Sequence, residues 1–98
     1  MMAVSQKWEN FFSNWPASLA RKGVVQTVLN EAMPFKNYWI KDGMLLIERV
    51  TPDAMGARFV LLSFEVINLV KFTDPLSAAE IAEAGFQAEA PNRQPQLA

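Results

Sequence analysis

Between Gly23 and Asp74 the chain repeats one pattern: a short run rich in β-branched, aromatic and aliphatic residues, then a turn signal. The runs are Val24–Leu29, Phe35–Ile40, Met44–Val50, Ala57–Ser63 and Val66–Phe72, and each reads as a strand. Asn30–Pro34, Lys41-Asp42-Gly43, Thr51–Gly56 and Phe64-Glu65 separate them. A parallel crossover needs a dozen or more residues, usually a helix. None of these links provides that, so βαβ units are excluded. Asp42-Gly43 is the sharpest signal, because both residues tolerate the positive φ angles of a tight hairpin turn.

The flanks have a different period. Trp8, Phe11, Phe12 and Trp15 fall at i, i+3, i+4 and i+7, one face of an α-helix. The spacing predicts helical structure over 5–22, capped by Ser5 and interrupted at Pro16, where Asn14 caps a second short turn carrying Leu19. Gly23 suits a left-handed residue beyond the helix. After the strands, Ser77-Ala78-Ala79-Glu80 has the spacing of a capping box. It predicts a short helix through Ala84 that stops at Gly85. Gln87–Ala98 is polar, lacks aromatics and contains Pro91 and Pro95, and reads as a flexible tail. The expected organisation is one domain over 1–86 followed by that tail. Five short strands within some fifty residues suggest a small barrel, since closure removes exposed sheet edges.

Composition narrows the function. The 98 residues are 51% hydrophobic and 19% charged, more apolar than an ordinary globular domain. Cysteine and histidine are both absent. The commonest nucleophilic and acid–base machinery is missing, as are the usual transition-metal ligands. Asp42, Glu48, Asp53 and Glu65 are scattered, without calcium-loop spacing, and Glu48 and Arg49 point to opposite faces of one strand. The serines lack a nucleophile-elbow context, and no phosphate-binding glycine loop is present. The expectation is a protein that is not an enzyme and needs no cofactor or metal. The first residues do not form a signal peptide, and no apolar run reaches a membrane span, which points to a cytoplasmic protein without a membrane partner.

The order of pieces resembles the Sm-like family, in which an N-terminal helix precedes a strongly bent five-stranded SH3-like barrel. Lys41–Glu48 is similar to the family's turn after strand two and the third strand. Arg58–Val70 is similar to its closing pair of strands. The likeness spans roughly Pro16 to Asp74. It implies a mainly β fold with an N-terminal helix, a small barrel and a short C-terminal helix. It also implies a homo-oligomeric ring in which strand four of one copy pairs with strand five of the next. The interface candidates are then Phe59, Leu61, Leu62, Val66, Ile67, Leu69 and Val70. Leu61 and Leu62 must face opposite ways, but in an all-apolar run nothing says which faces in.

Sm-like RNA binders carry an Asn in the turn after strand two and an Arg-Gly pair between strands four and five. Here those places hold Lys41-Asp42-Gly43-Met44 and Ser63-Phe64-Glu65. The alternative of RNA binding on the ring surface rests on Lys36, Tyr38, Trp39, Lys41 and Asp42, where aromatics for stacking lie near lysines for phosphate. Against it, residues 24–74 hold more acidic than basic side chains, and the net charge is −1. The leading expectation is a self-assembling module whose partner is another copy of itself.

Overall fold

The computed structural model describes residues 3–87. Helix α1 (Val4–Ser13) leads into an irregular segment, then β1 (Gly23–Thr27), β2 (Ala32–Lys41), β3 (Met44–Arg49) and β4 (Phe59–Ser63). A 3-10 turn, Phe64–Val66, passes to β5 (Ile67–Lys71), and α2 (Ala78–Glu83) closes the described chain. From residue 88 onward the segment read as a tail lies outside the described residues.

All five strands belong to one antiparallel sheet ordered β4-β3-β2-β1-β5. β4 and β5 are consecutive in sequence yet occupy its two ends. From Ser63 to Ile67 the backbone reaches at most ~14 Å, whereas four strand spacings in a flat sheet would set its ends ~19 Å apart. The sheet must therefore curl. No ladder joins β4 to β5 among the described residues. The fold is thus a curled five-stranded antiparallel sheet with a helix at each end of the chain.

The local signals work as chemistry predicts at three places. Asp42 and Gly43 take φ of 51° and 77°, the double positive φ of the tight hairpin. Ser77 Oγ accepts from Glu80 N at 3.1 Å while Ser77 N donates to Glu80 Oε1 at 2.9 Å, completing the capping box. The break at Phe64-Glu65 is the 3-10 turn, held by Glu65 N donating to Ser63 Oγ at 3.1 Å.

Elsewhere the structure corrects the expectation. The first helix begins at Val4 rather than after Ser5, and Ala3 N donates to Gln6 Oε1 at 3.0 Å. It ends at Ser13, because Trp15 precedes Pro16 and a residue before proline is driven out of the helical region. Asn14 closes the end, with Nδ2 donating to Asn10 O at 2.7 Å. Gly23 opens β1 instead of serving as a left-handed cap. A Cβ there would lie 2.5 Å from Lys71 O, so glycine is required by the close approach of β5. β1 stops at Thr27, whose Oγ1 accepts from Leu29 N and Glu31 N in a tight turn that leaves Val28 and Leu29 exposed. β2 starts earlier than expected and includes Pro34, which lies past Phe35↔Arg49, the last pair of the β2–β3 ladder.

The core forms where the curled sheet meets α1. Phe12, Trp15 and Leu19 from the N-terminal part pack with Val25, Met33, Phe35, Tyr38, Leu45, Ile47, Leu62, Phe64 and Ile67. Each large side chain buried this way contributes roughly 1.5–3 kcal/mol. On the aromatic face of α1, Phe12 is core, while Trp8 and Phe11 are half-buried and pack against it. The Phe12 and Trp15 rings stack at 5.7 Å, and Tyr38 meets Phe12 edge-on at 5.0 Å.

Candidate interaction surfaces

Three outer rows cross β2, β3 and β4 in register: Asn37–Glu48–Phe59, Trp39–Leu46–Leu61 and Lys41–Met44–Ser63. The alternate rows, Tyr38–Ile47–Val60 and Ile40–Leu45–Leu62, face the core. The period of two thus sorts near-identical residues to opposite fates. Leu62 is 8% exposed and Leu61 59%. Trp39 is 44% exposed and Phe59 51%, with their rings 6.2 Å apart. Beside them lies a hollow of about 260 Å³ lined by Trp39, Ile40, Lys41, Met44, Leu46 and Leu61.

The nucleic-acid candidates separate along the same division. The Tyr38 ring is wholly buried, its hydroxyl donates to Phe12 O at 2.7 Å, and the Arg21 guanidinium lies 4.8 Å from the ring centroid. Burial pushes the Tyr38 hydroxyl up to about 12, against a smaller opposing pull from Arg21. Tyr38 is a core anchor for α1, and its ring cannot stack on a base without leaving the core. Trp39 faces outward with Lys41 at the rim of its hollow. Asp42 is exposed in the hairpin turn, and Lys36 pairs at 3.8 Å with Glu48 on the surface.

The interface candidates divide too. Phe59 and Leu61 point outward on β4, whereas Leu62 and Ile67 belong to the chain's own core. Val66, Leu69 and Val70 are half-buried. Val70 also lines a second feature, a groove of about 520 Å³ between α1 and β5, together with Trp8, Phe11, Phe72 and Phe86. Sequence alone missed this groove, and it missed Met44 and Leu46 as members of the outer patch. The run Met44-Leu45-Leu46-Ile47 carries no sequence signal for the patch, because all four residues are apolar and only the structure separates the outward Met44 and Leu46 from the buried Leu45 and Ile47.

Two further acidic groups have structural work. Asp53 Oδ1 accepts from Met55 N and Ala57 N, both at 2.8 Å, and these backbone donors hold its carboxyl below the usual range. Glu83 Oε2 accepts from Ala17 N at 2.9 Å and ties α2 to the irregular segment. Among the described residues, no three acidic side chains converge as a metal site, and no helix is long and apolar enough to cross a membrane. Comparison with known proteins finds no matching family model, no matching curated protein and no matching solved structure.

Proposed function

We propose that this chain is a non-enzymatic self-assembly module of the Sm-like kind, in which the β4 edge of one copy pairs with the β5 edge of the next. The observation that carries this reading is the sheet order. β4 pairs with β3 alone and β5 with β1 alone among the described residues, so each end of the sheet offers an unpaired backbone edge. Apolar surface borders both: the exposed Phe59 and Leu61 at β4, and the α1–β5 groove at β5. Exposed edges favour strand addition, with main-chain hydrogen bonds supplying the contact. Two different edges make a head-to-tail interface, which forms a ring when its rotation closes.

Light scattering over a dilution series tests this reading. The expected mass is a multiple of the chain's 11.0 kDa, and a single-chain mass throughout refutes it. A second reading, RNA binding, is supported by the exposed Trp39 beside Lys41 at one hollow. Titration with labelled poly-U and poly-A at two salt concentrations separates the two, since only phosphate contact gives an affinity that falls with salt.

A further inference from the structure

The outer face of β2, β3 and β4 is apolar at its centre and carries no covering element among the described residues. Trp39, Leu46 and Leu61 form one row across three strands, and along the strands Phe59 lies at one end of the patch and Met44 at the other. An aromatic side chain presents ~150–250 Å², so Trp39 and Phe59 at about half exposure leave on the order of 200 Å² open between them. With Met44, Leu46 and Leu61 the apolar area is on the order of 400 Å². That equals about half of the ~800 Å² each partner buries in a standard interface, and the apolar share of such interfaces is ~56–65%.

We infer that this face is a two-fold contact between two copies of the chain, separate from any pairing of strand edges. The patch is complementary to itself. Take a two-fold axis in the plane of contact, running across the strands along the Trp39–Leu46–Leu61 row. It lays the Phe59 end of each copy against the Met44 end of the other. Phe59, which stands outside the hollow, then lies over the partner's Ser63, at the β4 margin of the partner's hollow of about 260 Å³. Charges follow the same symmetry. Lys41 lies at the Met44 end and forms no ion pair among the described residues, while Glu48 lies at the Phe59 end. The axis brings Lys41 within reach of the partner's Glu48, twice per contact. Among the described residues Glu48 is held only by the long contact to Lys36 at 3.8 Å, and such surface pairs are worth little. Sheets stack face to face at ~10 Å, a spacing that both side chains can span.

Three variants test this with one readout, the number of chains per particle by light scattering, with circular dichroism to confirm folding. Trp39→Glu puts a charge at the centre of the contact and should halve that number. Lys41→Glu sets carboxylate against carboxylate and should weaken the two-fold contact by roughly tenfold or more. The double variant Lys41→Glu with Glu48→Lys should restore it, because the pair is only exchanged. A folded Trp39→Glu protein with the wild-type number of chains overturns the inference. So does a Lys41→Glu protein without effect, or a double variant without rescue. If Trp39→Glu keeps its number of chains but loses affinity for labelled RNA, the face belongs to nucleic acid instead. The edge-pairing reading is judged separately. A dimer reduced to monomer by Trp39→Glu supports the face contact and refutes edge pairing, whereas a larger particle cut to half its chains supports both.

Discussion

Leu61 and Leu62 are neighbours of identical chemistry on one strand, yet one is among the most exposed large side chains and the other is core. Tyr38 and Trp39 repeat the contrast on β2, with a buried phenol and an indole in solvent. Hydrophobicity does not decide between the two faces of this sheet. The decision is made by register, which the hairpin at Asp42-Gly43 fixes for β2 and β3 and the β3–β4 ladder passes on to β4. An apolar residue on the inner face stabilises the fold, and one on the outer face is free for association.

The largest effect should come from the inner member of the first pair. Leu62→Asp places an unpaired charge in the core, at a cost of several kcal/mol. Its circular dichroism should show an unfolded chain, and a cooperative melt near the wild-type temperature would break the comparison. Next in size is Tyr38→Phe. Removing the hydroxyl leaves Phe12 O without its buried donor, which costs about 1–3 kcal/mol and should lower the melting temperature measurably. By contrast, Trp39→Ala on the outer face should stay within roughly 0.5 kcal/mol of wild type, unless the assembled state itself supports folding.

The same tyrosine sharpens the comparison by its titration. It is the only tyrosine in the chain, so tyrosinate absorbance reports on it alone. Its folded value is raised from 10.0 to about 12, so between those values the unfolded chain binds fewer protons than the folded one. Stability from this group is complete below pH 10 and is lost as pH rises towards 12. Alkaline unfolding of wild type should follow that window, and Tyr38→Phe should weaken the dependence. A tyrosine that titrates at the ordinary value in the folded protein contradicts its burial. The smallest stability effect belongs to Leu61→Asp. It should keep the wild-type melt under dissociating conditions while lowering the mass of the assembly, and a large loss of secondary structure would show that Leu61 supports the fold.

How much of this was legible in the sequence follows the range of each interaction. Signals that act within a few residues were legible: the strand runs, the Asp42-Gly43 turn, the Ser77 capping box and the aromatic face of α1. The sheet order depends on the ladder between the distant β1 and β5, and the outer patch depends on register, because an all-apolar strand gives no alternation from which to read its faces. Composition alone groups Tyr38 and Trp39 as stacking candidates, although adjacent strand residues must point apart. Gly23 was misread for a similar reason. A glycine after basic residues looks like a helix cap, and the carbonyl that requires it belongs to Lys71 on the neighbouring β5, which is adjacent in the sheet but far along the sequence.

The position of β5 also bears on the order of folding. β1 to β4 form a meander in which every strand pairs with its neighbour in the chain, so those contacts close short loops. Among the described residues, the β1–β5 ladder, Val24↔Lys71 to Thr27↔Ile67, is the only one that joins distant segments. Its loop-closure entropy must be met before its contacts give anything back. β5 should therefore dock last and detach first. In native-state hydrogen exchange its amides should open at lower free energy than those of β2 and β3. Each such opening bares β1 as well as β5, so another copy's β5 can enter the vacant place and exchange strands between chains.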